Sequence, residues 1–360
     1  ETPIEINLAA GESATFDIPQ LPQNHGEDVR VRFIVRYKKD TPFCTAGTEA
    51  GFDQMVLRSV PHRMNPLKLS GRLFLHAKED DGFYYITTKE CNYTISKHDA
   101  MFVSVKMEGE EMLTAPSSYN LYRAPIDNDS RIRKEWDGFR LDSLQIKLYS
   151  IKMIEAIDFI TIKAEISLGA NGFIPAARIA SEYIFYPAGE VHIKTNVTIN
   201  DQISFLPRFG LRMFLKPQFE DFSYFGYGPL ESYEDKNLAS YVDLHHTTVT
   251  GNHEDYIRPQ ENSSHFGCRY ATVSDGNYVV RLDSDAEFSV NASHYSQEQL
   301  RDKKHCWELE REQQTVLCCD YRMSGIGSAS CGPELNDFYR LSEKEFGFQF
   351  WLTFKKMNDF

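Results

Sequence analysis

The amino-acid sequence predicts an all-β protein, in which a β-sandwich precedes a large, twisted antiparallel sheet packed on a second sheet. Apolar and polar residues alternate in short runs along most of the 360 residues, which is the pattern of half-buried strands. The chain also contains 25 Phe and 19 Tyr, and aromatic residues favour strands. Several of the runs in the middle of the chain are long for sandwich strands, so we expect a large sheet there.

The length of the chain predicts two domains, because one domain commonly contains about 100–200 residues. We place them at residues 1–80 and 81–360. Strand-like alternation begins at the first residues, without a starting Met or a signal peptide, so we expect a chain cut out of a longer protein. The strands expected in the first domain are 4–8, 14–18, 29–37 and 52–57, before a linker at 61–81 with one more strand around Leu73 and Leu75.

The second domain is expected to contain many strands and two short helices. A weak helical pattern covers residues 131–144. Ser296 and Gln299 have the spacing of a capping box, which predicts a helix over 296–302. The predicted strands are 83–88, 93–96, 101–107, 143–148, 151–154, 159–168, 178–185, 190–199, 209–215, 278–282, 288–292, 307–309, 315–321 and 346–354.

Charge and composition argue against two classes of partner. The net charge is −13, whereas nucleic-acid binding depends on clusters of Lys and Arg that contact phosphates. No apolar run approaches the roughly 20 residues of a membrane helix. We therefore expect neither a nucleic acid nor a membrane as partner.

The cysteines and histidines do not predict a metal site. The seven cysteines are irregularly spaced and contain no CxxC pair, so we expect reduced thiols in the core or on strands rather than zinc ligands. His245, His246, His253 and Asp255 form the one histidine-rich stretch, and nothing in their spacing makes them converge. We expect them at polar strand ends and assign no metal to this chain.

Residues 122–130 form the polar segment around which the chain is organised. Pro125 fixes its own backbone and favours an extended residue before it. Asp127, Asn128 and Asp129 then favour a turn, because their short side chains bond to nearby backbone. Such a loop can bind a polyol such as a sugar, or it can be a structural turn held by a pair between Arg123 and an aspartate.

Two further loops carry candidate functional residues. In residues 222–235, two glycines permit an unusual backbone path, and Glu231 and Asp235 lie among tyrosines. Carboxylates beside aromatic faces suit a sugar site, although a tyrosine-rich turn can equally belong to a core. Residues 324–334 are mostly small and include Cys331, so their backbone can lie close to a ligand or to a neighbouring domain.

These segments form an ordered series that resembles the C-terminal region of the large, multidomain β-galactosidases of glycoside hydrolase family 2. The resemblance covers about residues 82–355. It rests on Tyr-Arg-Ala-Pro-Ile-Asp-Asn-Asp (122–129), Gly-Tyr-Gly-Pro-Leu-Glu-Ser-Tyr-Glu-Asp (226–235), Tyr-Ile-Arg-Pro-Gln-Glu-Asn (256–262), Tyr-Ser-Gln-Glu-Gln-Leu (295–300) and Gly-Ser-Ala-Ser-Cys-Gly-Pro (327–333).

The resemblance implies a fold for each domain. It makes residues 1–80 an immunoglobulin-like β-sandwich truncated at its N-terminus. It makes residues 81–360 an antiparallel β-supersandwich similar to galactose mutarotase. Localisation stays open between a bacterial cytoplasm and periplasm.

The resemblance also implies an activity for the intact protein, the retaining hydrolysis of terminal β-D-galactosides such as lactose. Retention requires two carboxylic acids about 5 Å apart. In the family both are glutamates of a TIM barrel that precedes this region and is absent from the 360 residues. The chain alone is therefore expected to be inactive and to contain no catalytic residue. Mg²⁺ and Na⁺ are expected in the intact enzyme only, and the expected partners are the galactoside substrate, the TIM-barrel domain and a possible homo-oligomer.

Carried over residue by residue, the resemblance implies a contribution to the wall of the active site. The residues that match the loop flanking the family's catalytic pocket are Arg123, Asp127, Asn128 and Asp129. Cys331 occupies a position where some relatives have Trp, and a thiol cannot stack on a sugar. Glu231 and Glu261 also match family positions, where a structural role is expected ahead of a functional one.

Two functions other than the hydrolase remain open, and a purely architectural role, in which the domain packs on the barrel and helps to assemble the oligomer, is compatible with the hydrolase. The chain can be a carbohydrate-binding module that uses the three loops. It can also be a mutarotase-like epimerase, which needs a general acid and a general base on opposite sides of the anomeric carbon. The groups available for that reaction are His245, His246, His265 and Glu261, and nothing in the sequence aligns them.

Overall fold

A computed structural model describes residues 2–4, 6–17, 28–60, 62 and 74–359. It divides into two compact units, Glu1–Pro61 and His62–Phe360, which are described separately. The predicted boundary at residue 80 and the immunoglobulin-like character of the first domain stay predictions.

The first unit contains an antiparallel pair of strands, β1 (Val29–Arg36) and β2 (Glu49–Arg58). This agrees with the predictions at 29–37 and 52–57. The strands predicted at 4–8 and 14–18 are wrong for the described residues, which form no ladder there. Their apolar side chains are exposed, and alternation alone does not make a strand without a partner edge. Glu5 and Ile18 lie outside the described residues.

The second unit begins with a five-stranded antiparallel sheet in the order β3-β4-β5-β6-β7. Its strands are β3 (His76–Glu79), β4 (Phe83–Thr87), β5 (Cys91–Ser96), β6 (Phe102–Met107) and β7 (Glu110–Glu111). The strand expected around Leu73 and Leu75 starts later, at His76, and Leu73 lies outside the described residues. Glu108 and Gly109 both have positive φ, as the tight turn between β6 and β7 requires.

A curled antiparallel sheet of twelve described strands forms most of the unit. These strands are β8 (Leu113–Asn120), β9 (Gln145–Glu155), β10 (Ile160–Gly169), β11 (Ala177–Phe185), β12 (Val191–Ile199), β13 (Arg208–Leu215), β14 (Asp221–Gly228), β15 (Tyr241–Thr248), β16 (His265–Ser274), β17 (Tyr278–Ser293), β18 (Thr315–Met323) and β19 (Glu345–Lys356). The predicted all-β fold class is confirmed.

The long strand β17 pairs with three other strands, and each of them leads to a different part of this sheet. Its first residues pair with β19, which continues through β12, β11 and β10 to β9. Its last residues pair with β18, which continues through β13 to β8. On its other side, β17 pairs with β16, which leads to β14 and β15. One strand of 16 residues thereby connects every part of the sheet.

Several predicted boundaries are corrected. The strands predicted at 143–148 and 151–154 are the single strand β9, and those at 278–282 and 288–292 are the single strand β17. Residues 307–309 are not a strand, since Cys306–Glu308 is a 3-10 turn with Trp307 exposed. Strands β14, β15 and β16 were not predicted as continuous strands.

The helices are short. Helix α1 (Arg133–Gly138) lies within the predicted 131–144 stretch. Helix α2 (Gln297–Asp302) confirms the capping prediction, because Ser296 Oγ accepts from Gln299 N at 3.2 Å. Further 3-10 turns are Asp127–Asp129, Leu141–Ser143, Asp337–Tyr339 and Met357–Asp359. Within the described part of the chain, neither helix is long and apolar enough to span a membrane.

The main hydrophobic core lies between the five-stranded sheet and the curled sheet. Phe102 of β6 meets Tyr183 of β11 edge-on at 5.3 Å, and Tyr93 of β5 lies 5.3 Å from Phe185. A second core lies around α1, where Trp136 is buried and its Nε1 donates to Phe205 O at 2.9 Å. This second core supports the loops that contain the candidate site.

The cysteines are free thiols. Four of them are buried on strands, namely Cys91, Cys268, Cys318 and Cys319. Cys331 is exposed in the small-residue loop. This distribution agrees with reduced thiols placed mainly in the core and on strands.

Candidate functional site

The loops singled out in the sequence converge at one place, which we call the loop cluster. It consists of residues 122–130, 230–240, 256–263 and 324–335. The tie between 122–130 and 324–335 is the buried guanidinium of Arg123. Its Nη1 donates to Ser324 O, and its Nη2 donates to Gly325 O at 3.2 Å.

Arg123 also forms a buried, two-pronged ion pair with Asp129. Nε donates to Asp129 Oδ2 at 3.1 Å, and Nη2 donates to Oδ1 at 2.7 Å. Burial disfavours the guanidinium charge, but the Asp129 carboxylate outweighs it, so the pKa of Arg123 is raised. Asp129 in addition accepts from Ile126 N at 3.1 Å. These two residues therefore form the structural turn that was one of the two interpretations of this segment.

Asp127 and Asn128 are placed differently from that pair. The Asp127 side chain is 70% exposed and lies 3.8 Å from the guanidinium of Arg258. Asn128 is half-buried, and its Nδ2 donates to Ile326 O. Of the four residues of this loop expected at the active-site wall, Asp127 and Asn128 are the ones with side chains that a ligand can reach.

Asp235 also binds the small-residue loop, residues 324–334. Its carboxylate accepts from Ile326 N at 2.9 Å and from Gly327 N at 2.7 Å. A Cβ on Gly325 would lie 2.5 Å from the Asp235 carboxyl carbon, so this position has no space for a side chain. The sequence marked Asp235 only as a carboxylate near tyrosines and did not reveal this role.

Glu231 joins residues 230–240 to residues 256–263. It is buried, and its carboxylate accepts from Ser263 N at 2.7 Å and from the side chains of Lys236 and Tyr256. A buried carboxylate with three donors is the satisfied arrangement that burial of a charge requires. Glu231 therefore stabilises the cluster.

Glu261 belongs to a buried ionic triad with Arg208 and Asp320. Arg208 Nη1 lies 3.3 Å from both Glu261 oxygens, and Arg208 Nε donates to Asp320 Oδ1 at 3.1 Å. Burial raises the pKa of Glu261, and the Arg208 charge opposes this increase. The backbone N–H of Glu261 donates to Ala124 O at 3.1 Å, which ties the triad to the first loop.

A cavity of about 260 Å³ opens between the first loop and the small-residue loop. This is slightly below the roughly 300–1,000 Å³ of typical small-molecule sites. Its lining includes Asn128 and Asp129, Ser328 and Ala329, Glu334 and Leu335 of the other loop, and Arg131, Glu135 and Arg340. Cys331 is exposed and does not belong to this lining. The lining offers donors and acceptors suited to hydroxyl groups, together with an apolar surface.

The groups considered for epimerase chemistry are each engaged elsewhere. His265 is buried, stacks on Tyr224 at 3.8 Å, and shares a 2.7 Å hydrogen bond between its Nε2 and Asn252 Oδ1. Burial lowers the pKa of His265 to about 3. His245 Nε2 lies 3.1 Å from Tyr241 O, and Glu261 is held by Arg208. His246 is exposed beside Ser223.

The part of the chain that the structure describes contains no group of three or more His, Cys, Asp or Glu side chains arranged to hold a metal ion. His245 and His246 lie on β15, whereas His253 and Asp255 follow it in a loop. The stretch that is rich in histidines in the sequence is therefore spread out in the structure.

Comparison with known proteins relates this chain to one family. Residues 87–352 match the family described as Beta galactosidase small chain. A β-galactosidase of Actinobacillus pleuropneumoniae is 35% identical over 340 residues, which are 94% of this chain and 33% of that protein. A β-galactosidase of Staphylococcus xylosus is 34% identical over 338 residues, 92% of this chain and 33% of that protein. The chain spans about a third of the length of these curated relatives.

Two solved structures match this chain at low sequence identity. The galactose 1-epimerase of Lactobacillus acidophilus NCFM is 9% identical, with a TM-score of 0.40 over 78% of this chain and 98% of that one. A putative aldose 1-epimerase of Escherichia coli K12 is 10% identical, with a TM-score of 0.38 over 76% and 99%.

Proposed function

Because this chain belongs to the beta galactosidase small chain family, we propose that it forms the C-terminal part of a retaining β-galactosidase of glycoside hydrolase family 2. The whole enzyme would hydrolyse terminal β-D-galactosides such as lactose. The observation that carries the proposal is the family match over residues 87–352, in a chain that spans a third of its relatives.

Within that enzyme, the role proposed for this chain is to form the edge of the active site. Four segments that are far apart in sequence are tied by hydrogen bonds of charged side chains. Asn128 lines the cavity, and the neighbouring Asp127 is exposed. Catalytic sites need side chains held to about 0.5 Å, which such ties provide. Asp127 and Asn128 are the residues we assign to sugar hydroxyls, with Arg123 and Asp129 holding them in place.

The two reacting carboxylic acids are assigned to the remainder of the enzyme. Retaining hydrolysis needs a pair about 5 Å apart, one of them free to attack the sugar. In the loop cluster, Asp129, Asp235, Glu231 and Glu261 each accept hydrogen bonds from protein groups that hold the loops. We therefore propose that the chain alone is inactive, and that Mg²⁺ and Na⁺ bind to the remainder of the enzyme.

A domain exchange tests the proposal. The matching third of the Actinobacillus pleuropneumoniae β-galactosidase is replaced by this chain, and the chimera and the isolated chain are assayed with a chromogenic β-galactoside. We expect hydrolysis by the chimera and none by the isolated chain. Robust turnover by the isolated chain, or a folded chimera without activity, would contradict the proposal.

A second candidate function is sugar binding by the isolated chain. The cavity of about 260 Å³ favours it, because a site of this kind can bind a monosaccharide without containing catalytic residues. Calorimetry with galactose and lactose at millimolar concentration tests it. Heat of binding that disappears on Asn128→Ala would support a binding module, and no heat with either sugar would eliminate it.

A further inference from the structure

Four large apolar side chains extend into solvent, three of them in the loop cluster and one outside it. Leu238 is 96% exposed, Ile257 78%, Trp307 73% and Leu230 53%. We call these four residues the apolar rim. Single exposed apolar side chains are normal on protein surfaces, whereas a group of large ones marks an interaction site.

The members of the apolar rim are linked through local structure. Leu230 and Leu238 line one groove of about 450 Å³ together with Tyr256. Tyr256 is followed by Ile257, whose carbonyl accepts from Cys306 N at 3.0 Å. Trp307 follows Cys306 in the chain. The segments that contain the apolar rim therefore lie close to one another, from the groove to the 3-10 turn Cys306–Glu308.

The apolar rim is held in a fixed shape. Beneath the groove, Glu231 binds both Lys236 and Tyr256. Asn237 Nδ2 donates to Glu234 O at 3.0 Å, which fixes the turn that presents Leu238. The Trp307 ring stacks on His305 at 4.3 Å with an angle of 7° between the planes. A surface fixed before binding loses little conformational entropy when a partner arrives.

The position of the apolar rim indicates which partner it fits. Ile257 is adjacent to Arg258, whose guanidinium lies 3.8 Å from Asp127 of the loop cluster. Under the proposed function, Asp127 faces the reacting part of the enzyme. A partner that completes the active site at Asp127 would therefore lie close to Ile257.

The relatives supply a partner of sufficient size. About two thirds of each β-galactosidase lies outside the region that this chain matches. Stable protein interfaces bury roughly 1,600 Å² around a few aromatic and aliphatic anchors. We propose that the apolar rim is the anchor of the surface on which the remaining two thirds of the β-galactosidase packs. This inference rests on the proposed function and adds the location of the contact.

Binding between separate polypeptides tests the inference. This chain, tagged, is produced together with the part of the Actinobacillus pleuropneumoniae enzyme that it does not match, and association is measured by affinity capture and biolayer interferometry. Leu238→Asp and Trp307→Ser are each expected to weaken association at least tenfold. Both side chains are exposed, so both variants should keep the melting temperature of the unchanged chain.

Ile174→Asp is the matched control. Ile174 is 64% exposed on the turn between β10 and β11 and does not belong to the apolar rim. It should leave association unchanged. A control variant that weakens association as much as Leu238→Asp would overturn the inference, because the effect would then reflect added charge alone.

The covalent chimera provides a second measurement. Leu238→Asp and Trp307→Ser in the chimera should lower its melting temperature, whereas Ile174→Asp should not. An active chimera whose melting temperature is unchanged by Leu238→Asp and Trp307→Ser would overturn this inference and leave the proposed function standing. An inactive, folded chimera would count against the proposed function instead. A dimer of the isolated chain that Leu238→Asp converts to monomer would assign the apolar rim to a second copy, which also overturns the inference.

Discussion

The core between the two sheets and the loop cluster join distant parts of the chain by different interactions. Between the sheets, aromatic rings such as Phe102 and Tyr183 meet edge-on in an apolar interior. In the loop cluster, single charged side chains bind backbone groups, as Arg123 and Asp235 do on residues 324–327. Apolar packing supplies stability without strict direction, whereas ionic hydrogen bonds fix direction and distance. We infer that the core holds the unit folded and that the cluster sets the shape of the site.

The largest effect is expected in the core. Phe102→Ala removes a fully buried ring, so the free energy of unfolding should fall by about 4 kcal/mol. Denaturant titration measures this change. Phe338→Ala is the control, since Phe338 is 72% exposed and should stay within about 0.5 kcal/mol. Equal losses for the two variants would contradict the location of the core.

The next largest effect is expected at the buried ion pair. Arg123→Met leaves the Asp129 carboxylate buried without its partner, which should destabilise the protein by about 3 kcal/mol. Replacing both residues, as Arg123→Met with Asp129→Leu, should restore part of this loss in the same titration.

Asp127→Asn, in the same loop but exposed, is the control for this pair and should change stability by less than about 0.5 kcal/mol. A double variant that is clearly less stable than Arg123→Met alone would contradict the account, because Arg123 and Asp129 would then contribute to stability independently and not as a pair.

A smaller effect is expected where the small-residue loop meets Asp235. Gly325→Ala places a methyl group 2.5 Å from the Asp235 carboxyl carbon, and overpacking of this kind costs about 2 kcal/mol. Gly332→Ala, in the same loop with no atom within 4 Å of its new Cβ, should be nearly neutral. Thermal unfolding distinguishes the two variants. A neutral Gly325→Ala would show that Asp235 does not hold the loop closely.

The last effect depends on pH and concerns His265. Burial lowers its pKa to about 3 in the folded protein, whereas the unfolded chain has a histidine pKa of about 6.5. The contribution of this histidine to the free energy of unfolding is therefore complete above about pH 6.5. It decreases as the pH falls from 6.5 towards 3, by up to about 1.4 kcal/mol per pH unit. Denaturant titrations from pH 7 to pH 4 should show a shallower decline for His265→Gln, and an unchanged slope would contradict burial of the neutral ring.

Most strands could be predicted from the sequence, because alternation records which face of a strand is buried. The pattern of residues 178–185 and 346–354 predicts strands, and these residues form most of β11 and β19. Residues 4–8 alternate as well, yet the described ones form no strand, since alternation does not reveal whether a partner edge exists. The predicted resemblance to a β-galactosidase region is confirmed by the family match.

Only part of the candidate site could be predicted from the sequence. A pair between Arg123 and a nearby aspartate could be predicted, because Asp129 is the sixth residue after Arg123 and a turn lies between them. The role of Asp235 could not, since its partners are backbone N–H groups about ninety residues away that carry no side-chain signature. The assignment of Arg123, Asp127, Asn128, Asp129 and Cys331 to the active-site wall stays a prediction.

Steady-state kinetics of the chimera test the central claim most directly, namely that the loop cluster of this chain completes the sugar site of a β-galactosidase. In the chimera, Asp127→Ala combined with Asn128→Ala should lower kcat/KM for a β-galactoside at least tenfold while the melting temperature stays unchanged. Ile174→Asp, away from the cluster, should leave kcat/KM at the level of the unaltered chimera. An unchanged kcat/KM in the double variant would contradict the claim.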